Sequence, residues 1–163
     1  MSNVKPLMSI IMNCHNGEKY LYQSIKSIIS QTYINWELIF WDNNSSDKSK
    51  EIVNKFKDER IKYYVSNNFK KLYDARNLAI NKASGQYISF IDTDDLWEND
   101  KIEKQINFFL ENKDFEIVYS NYFILDEKKS KKFTKFKKKL NSGMINNDLI
   151  KNYTVGLVTV SLK

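Results

Sequence analysis

The sequence predicts an α/β fold with a mostly parallel central sheet and helices on both faces. Short, continuously apolar runs, typical of strands buried on both faces, alternate with segments of helical periodicity through about residue 120. The chain has 163 residues, of which 42% are hydrophobic, and this is enough to bury one sizeable core. We therefore expect one α/β domain over residues 1–121 and a less regular region over residues 122–163.

The first part of the alternation contains two pairs of strand and helix. Met8–Asn13 is a continuous apolar run, and the helix predicted over about residues 18–30 has apolar side chains at i, i+4, i+7 and i+8. Trp36–Trp41 is the second predicted strand. The polar turn at residues 42–47 is rich in helix-capping side chains and leads into a helix that ends near Phe56.

The same order continues in the second part. Ile61–Val65 is the third predicted strand, and the helix predicted over residues 72–83 ends at Ser84-Gly85. Tyr87–Ile91 is the fourth strand, and a further helix separates it from a fifth strand near residues 116–119. The side chains that we expect these two helices to turn toward the core are Ala75, Leu78, Ala79, Ile102, Ile106, Phe109 and Leu110.

Beyond residue 120 the alternation is less regular. We expect a strand at Tyr122–Leu125, a short helix at Ile145–Lys151 and a strand at Leu157–Leu162. Residues 128–139 contain eight lysines and no acid, so the net charge of +6 leaves −2 for the other 151 residues. This lysine segment is predicted to be a mobile, solvated loop, and attraction to anionic membrane lipids or to a lipid diphosphate is the alternative.

Composition excludes several classes of protein. No apolar run approaches the ~18 residues that cross a bilayer, and Leu7–Met12 lacks the cleavage site of a signal peptide. A single cysteine, Cys14, excludes an internal disulfide framework and fits a reducing cytosol. One cysteine and one histidine also cannot supply the ligands of the usual Cys/His zinc site. Only two of the 26 basic residues are arginine, which argues against a general nucleic-acid surface.

Three polar clusters directly follow predicted strands. They lie at residues 13–18, 42–47 and 92–95. Parallel strands point the same way, so we expect the clusters to meet beyond the carboxyl ends of the strands, where ligands bind in such sheets. The sequence therefore predicts one functional site at this edge.

Asp92-Thr93-Asp94-Asp95 is the most informative of these clusters. Three carboxylates within four residues repel one another unless protons, solvent or a cation relieve the charge, and oxygen-only ligands suit Mg²⁺ or Mn²⁺. A divalent ion is the expected partner, and capping of the following helix is the alternative. The four glycines cannot form a phosphate-binding glycine loop, so a bound phosphate would depend on the metal.

The other candidate residues are less specific. The turn at residues 42–47 also suits a plain turn and helix cap, and His15 also suits a packed loop histidine. Cys14 and His15 are neighbours in extended backbone and point to opposite faces, so they do not form a pair of nucleophile and base. Arg76 suits either a surface salt bridge or a donor into the site.

Two stretches of the chain resemble a known enzyme family. Residues 9–53 and 74–106 contain NGEKYL, DNNSSD, ARN and DTDD in this order. They strongly resemble the nucleotide-sugar-dependent glycosyltransferases of family two, and the similarity is nearly continuous from about residue 8 to residue 121. This resemblance implies a Rossmann-like GT-A fold, with a donor-binding domain over residues 1–121 and the incomplete start of an acceptor-side region over residues 122–163.

The resemblance also implies an activity. A sugar would pass with inversion from a nucleotide-diphosphate sugar, most simply a UDP-sugar, to a hydroxyl of a saccharide or lipid-linked acceptor in bacterial surface polysaccharide or glycoconjugate synthesis. Mn²⁺ or Mg²⁺ would neutralise the leaving diphosphate. The chain would be cytoplasmic, at the inner face of the membrane if the lysine segment binds lipid. A non-catalytic fragment or degenerate paralogue is the alternative, and a nucleotidyltransferase is a third interpretation.

By motif match, the resemblance implies a role for each candidate residue. Asp94 would be the metal ligand. Two departures from the family pattern are Asn13-Cys14-His15-Asn16 in place of Pro-Thr-Tyr-Asn, and Asn43 where a carboxylate often accepts the uracil imide proton. An asparagine oxygen accepts the same hydrogen bond. The residues expected to bind the donor nucleotide are Asn13, His15, Glu18, Asp42, Asn43, Arg76 and Asp92.

The resemblance places the general base in an acidic motif beyond the strand at Leu157–Leu162, after Lys163. The acids that follow Asn121 are Asp126, Glu127 and Asp148, and none of them matches that motif. We therefore expect the 163-residue chain to bind donor nucleotide and metal but to transfer little sugar by itself.

Overall fold

The computed structural model describes residues 5–151 and 155–163. Strands and helices alternate in its first part as β1 (Met8–Cys14), α1 (Leu21–Ile29), β2 (Trp36–Asp42), α2 (Ser49–Asn54), β3 (Ile61–Val65), α3 (Leu72–Ile80), β4 (Tyr87–Phe90), α4 (Lys101–Glu111) and β5 (Ile117–Val118). The elements that follow are β6 (Phe123–Asp126), β7 (Lys131–Thr134), α5 (Asn146–Lys151), a 3-10 turn (Leu157–Thr159) and β8 (Ser161–Leu162).

Six strands form one central sheet in the order β3-β2-β1-β4-β8-β5. β1 pairs in parallel with β2 and with β4, and β2 pairs in parallel with β3. β8 runs antiparallel to both of its neighbours, β4 and β5. Five strands therefore share one direction, which confirms the predicted mostly parallel sheet and brings the carboxyl ends of β1 to β4 to one edge.

Helices cover both faces of the sheet, as the alternation predicts. On one face, α1 packs its apolar stripe of Leu21, Ile25 and Ile28 into a core with α2 and α4. On the other face, α3 contributes Ala75 and Ala79, whose small side chains let the helix lie close to β1 and β2. Each large apolar side chain buried in this way stabilises the fold by about 1.5–3 kcal/mol.

Two of the side chains expected in the core lie at its margin instead. Leu78 of α3 is 36% exposed, and Leu110 of α4 is 50% exposed. Both helices are amphipathic and bury only one stripe, and these residues fall beside that stripe. The predicted inward orientation is therefore wrong for Leu78 and Leu110, while Ala75, Ala79, Ile102, Ile106 and Phe109 are buried as predicted.

The lysine segment differs from its prediction. Residues 128–139 were expected to form a mobile loop, but Lys131–Thr134 form β7, which pairs antiparallel with β6 in a separate two-stranded sheet. The hairpin forms because β6 offers a partner backbone, while the lysine side chains stay exposed on both faces. In addition, Lys132 Nζ lies 4.1 Å from the centroid of the Phe123 ring.

The segment predicted as a strand at Leu157–Leu162 is mostly not extended. Its first three residues form a 3-10 turn, and only Ser161–Leu162 pair with the sheet. Buried hydrogen bonds explain this shape, since Ser89 Oγ donates to Val160 O at 2.7 Å and Gln105 Nε2 donates to Thr159 O at 2.7 Å. In the part of the chain that the structure covers, no helix has the length and apolarity needed to cross a membrane.

Candidate active site

The polar clusters that follow β1 and β2 interlock at the carboxyl edge of the sheet. Asn43 N donates to Cys14 O at 2.7 Å, which continues the parallel pairing past the end of both strands. Asn16 N then donates to Ser45 Oγ at 3.0 Å, and Ser46 N donates to Asn16 Oδ1 at 2.8 Å. These two predicted clusters therefore form one ordered surface.

The cluster after β4 joins this surface through a close contact. A Cβ placed on Gly17 would lie 2.9 Å from Thr93 Oγ1 and 3.0 Å from Cys14 Sγ, so a larger residue would force one of these side chains to shift. From α1, Ser24 Oγ also donates to the backbone oxygen of Asp92 at 3.2 Å. The predicted convergence of the three clusters is thus present in the structure.

Asp42 organises the turn after β2 from a buried position. Its Oδ1 accepts from Ser45 N at 2.7 Å, and its Oδ2 accepts a short hydrogen bond from the Tyr63 hydroxyl. Burial, with the nearby Asp42 carboxylate, raises the pKa of Tyr63 well above its usual range, so the hydroxyl remains a donor. Both carboxylate oxygens of Asp42 therefore accept hydrogen bonds from the protein, and the residue is only 2% exposed.

Asn43 and His15 connect this turn to the loop after β3. The Asn43 side chain is buried and is hydrogen-bonded to the backbone of Lys70. His15 is exposed, its Nδ1 lies 3.0 Å from Asn43 O, and its ring packs edge-on against Phe69. Phe69 is not among the residues that the motifs indicate, and its signal in the sequence is a single aromatic residue in the polar run SNNFKK.

Glu18 joins the β1 loop to the end of the turn after β2. Its Oε2 accepts from Lys48 N at 2.9 Å, while its own backbone N donates to Asp47 Oδ2 at 2.9 Å. The two acids thus close the connection between the β1 loop and the start of α2. At the end of β1, the buried amide nitrogen of Asn13 has no hydrogen-bond partner within the described ranges.

The aspartate turn after β4 carries unbalanced negative charge. Burial raises the pKa of Asp95 to about 6, with added repulsion from Asp92 and Asp94. Burial also raises the pKa of Asp92, against the opposing effect of Arg76, whose Nη2 lies 3.6 Å from Asp92 Oδ1. The fold therefore places a cation from α3, Arg76, next to this turn.

The side chains of this turn fit a divalent ion that is shared with a ligand. In the portions of the chain described here, no three histidine, cysteine or acidic side chains are arranged to hold a metal by themselves. Mg²⁺ is commonly bound through only one or two carboxylates, with substrate phosphates and water completing the octahedron. Exposed Asp94, in a turn whose carboxylates repel one another, suits that kind of shared site.

A wide groove borders the aspartate turn, with a volume of about 1480 Å³. Its lining includes Asp94, Asp95 and Trp97 together with residues of the β6–β7 hairpin. The hairpin is tied to the body of the protein by two polar contacts. Tyr20 donates its hydroxyl to Glu127 Oε2 at 2.8 Å, and Lys132 Nζ forms an ion pair with Glu98 Oε1 at 3.0 Å.

The fold and the acidic carboxyl edge define a Rossmann-like α/β protein with its site at the ends of the parallel strands. The family profile described as "Glycosyl transferase family 2" matches residues 9–160. The chain therefore belongs to glycosyl transferase family 2, and the resemblance noted from the motifs is confirmed.

Comparison with individual proteins agrees with this assignment. The chain is 40% identical over 157 residues to UDP-Glc:alpha-D-GlcNAc-diphosphoundecaprenol beta-1,3-glucosyltransferase WfgD of Escherichia coli, covering 96% of this chain and 60% of WfgD. It spans about half the length of the curated relatives it matches.

Two solved structures show the same fold. S. aureus TarS 1-349 in complex with UDP superposes with a TM-score of 0.64 at 24% identity, over 68% of this chain and 33% of that one. Mannosyltransferase PcManGT from Pyrobaculum calidifontis, in complex with GDP-Man and Mn²⁺, gives a TM-score of 0.66 at 18% identity. The superposition covers 72% of this chain and 36% of PcManGT. These likenesses confirm the GT-A fold.

Proposed function

We propose that this chain is the donor-binding part of a glycosyltransferase that moves a sugar, with inversion, from a nucleotide-diphosphate sugar to an acceptor hydroxyl. The observation that carries the proposal is the convergence of Asp92, Asp94 and Asp95 with the ordered ends of β1 and β2. UDP-sugars are favoured as donors, because WfgD is named for UDP-Glc and TarS was solved with UDP. The setting would be bacterial surface polysaccharide or glycoconjugate synthesis.

Asp94 would hold Mn²⁺ or Mg²⁺, which would neutralise negative charge on the diphosphate leaving group. Arg76 is positioned by Asp92 at 3.6 Å and would add a fixed positive charge on the ribose and phosphate side. Asn13, His15, Asp42 and Asn43 would form the other end of the donor site, either by contact or by ordering its loops. Glu18 would act through its contact with the start of α2.

Calorimetry with the 163-residue chain tests this proposal. We expect UDP to bind with Mn²⁺ and to bind about tenfold or more weakly in excess EDTA, because the aspartates repel an unneutralised diphosphate. Asp94→Asn should cause a similar loss, whereas the exposed Asp114→Asn should not. Equal affinity with and without metal would refute the metal assignment, and failure of UDP to bind under either condition would refute the donor-binding function.

We further propose a lipid-linked acceptor and a position in the cytoplasm at the inner face of the membrane. WfgD is named for a diphosphoundecaprenol acceptor, and the lysine segment 128–139 would contact anionic headgroups. Phe133, which is 51% exposed on β7, adds a modest apolar contact.

Vesicle sedimentation separates this proposal from a merely solvated hairpin. Replacing Lys135, Lys137, Lys138 and Lys139 by serine should weaken binding to phosphatidylserine vesicles, because each basic residue near such a surface contributes about 1 kcal/mol. The matched variant replaces four exposed lysines around α2, namely Lys48, Lys50, Lys55 and Lys57, and should retain binding. An equal loss in both variants would show that only net charge matters and would refute a specific role for the segment.

A further inference from the structure

Phe69 is an exposed aromatic side chain at the same edge of the sheet as the donor site. It lies in the loop between β3 and α3 and is 58% exposed. Its ring centroid is 4.7 Å from that of His15, with an interplanar angle of 63°. A ligand that covers a large apolar ring exposed to water gains the free energy of burying that surface.

The loop that carries Phe69 is held in place from both sides. Ser66 N donates to Asp42 O at 2.8 Å, and Ser66 Oγ donates to Asn68 O at 2.6 Å. After Phe69, the backbone of Lys70 is bonded to the buried side chain of Asn43. The exposure of the Phe69 ring is therefore an ordered property of the loop.

The position of Phe69 suits one end of an extended nucleotide. β2 and β1 lie between β3 and β4, so the edge from the Phe69 loop to the aspartate turn spans three strand spacings, or ~14 Å. Diphosphate oxygens that reach the turn at Asp92–Asp95 would direct the nucleoside back along this edge. The base would then arrive where His15 and Phe69 meet.

We propose that Phe69 is a binding residue for the nucleobase of the donor, on which the base stacks while the edge-on ring of His15 fixes the orientation of Phe69. Every nucleobase has an aromatic face, so stacking of this kind tolerates different bases. Both polar atoms of the Asn43 amide are bonded to Lys70, which leaves this side chain with less capacity to read the base edge. The inference rests on the proposed function, because it places a residue in that same donor site.

Calorimetry in the presence of Mn²⁺ tests the role of Phe69 with two probes, UDP and inorganic diphosphate. In the 163-residue chain, Phe69→Ala should weaken UDP binding by about tenfold, since truncating a stacked aromatic typically costs this much or more. Diphosphate binding should remain unchanged, because diphosphate has no base. Phe69→Trp should retain UDP binding, and the exposed Tyr73→Ala on α3 is the matched control.

Each outcome supports or overturns the role of Phe69. Unchanged UDP affinity in Phe69→Ala would overturn it while leaving the proposed function intact. Equal weakening of UDP and diphosphate would also overturn it, because the substitution would then disturb the whole site. If the unaltered chain bound diphosphate with metal but gained nothing from the nucleoside, both the stacking role and donor recognition would fail.

Discussion

The side-chain amide of Asn43 forms two hydrogen bonds with the backbone of one residue, Lys70. Nδ2 donates to Lys70 O at 2.8 Å, and Oδ1 accepts from Lys70 N at 3.0 Å. The amide thus pairs with the loop as a neighbouring strand backbone would, and it extends the contact between β2 and β3 beyond the last paired residues of the ladder. Asn43 therefore has an ordering role that its motif position alone does not reveal.

Asn43→Ala should lower the free energy of unfolding by about 1–3 kcal/mol, because it removes two part-buried hydrogen bonds between Asn43 and the backbone of Lys70. Urea denaturation followed by circular dichroism measures this change. The control is Asn54→Ala at the exposed end of α2, which should change stability by less than about 0.5 kcal/mol. Equal stability of the two variants would mean that the Lys70 loop does not depend on Asn43.

Gly17→Ala should weaken metal-dependent UDP binding, because the added Cβ would lie 2.9 Å from Thr93 Oγ1 and would push the aspartate turn away from the β1 loop. We expect a loss of about fivefold or more, equivalent to about 1 kcal/mol. The double variant Gly17→Ala with Thr93→Gly should recover part of the affinity, since it removes the Thr93 side chain that the new methyl group would contact. Purely additive losses in the calorimetric double-mutant cycle would contradict this coupling.

Glu37 should make the fold sensitive to acid. It is buried in β2 and accepts hydrogen bonds from Ser9, Lys62 and Ser84. Burial alone would raise its pKa, but these donors outweigh burial and hold the pKa at about 2, below the usual 4.5. The unfolded chain therefore binds the proton more readily. The stability from Glu37 is complete above about pH 5 and is lost as the pH falls toward 2.

Urea denaturation at a series of pH values measures this effect. In the unaltered chain, the loss attributable to Glu37 should amount to about 3 kcal/mol between pH 5 and pH 2. Glu37→Gln should flatten that slope, whereas Glu51→Gln on the exposed face of α2 should leave it unchanged. Parallel curves for the unaltered chain and Glu37→Gln would show that the carboxylate is not held ionised.

Lys101 should produce an effect of the same sign at neutral to alkaline pH. Its Nζ lies 3.9 Å from the Trp97 ring centroid and donates to Ser89 Oγ at 2.9 Å and Gln105 Oε1 at 2.8 Å. Burial lowers the pKa of Lys101 from 10.5 to about 7. Between pH 7 and pH 10.5 the unfolded chain therefore binds more protons than the folded chain, so the free energy of unfolding should rise with pH over this range.

Lys101→Met should remove that rise in a denaturation series from pH 7 to pH 10. Ser89 and Gln105 keep their other hydrogen bonds in this variant, to Val160 and to Thr159 and Ser161, so the fold should persist. Lys104→Met, which removes an exposed lysine one turn further along α4, is the control. A slope that is unchanged by Lys101→Met would mean that the ammonium group is hydrated.

The sequence predicts the sheet well where burial on both faces forces apolar runs. Trp36–Trp41 and Tyr87–Ile91 are such runs, and each matches a strand to within one residue. Residues 131–134 carry no such signal, because β7 depends on pairing with β6 and not on its own composition. The 3-10 turn at Leu157–Thr159 was missed for a related reason, since buried partners on β4 and α4 fix its shape.

For the candidate site, too, the sequence predicts one part and not another. Its location follows from the polar residues at the ends of parallel strands, and Arg76 near Asp92 agrees with the motif. Side-chain partners could not be predicted, because Asn43 and Glu18 bond to backbone groups of distant loops, those of Lys70 and Lys48. Such contacts depend on loop paths that local sequence does not specify.

The place of β8 between β4 and β5 has a consequence for synthesis of the chain on the ribosome. β5 joins the sheet through β8, and Ser161 and Leu162 pair with both neighbouring strands. The flank of β4 therefore remains an unpaired edge until residue 162 has emerged, more than seventy residues after β4 itself. During that interval the nascent chain exposes a hydrogen-bonding template, and a chaperone that shields this edge would favour correct closure of the sheet.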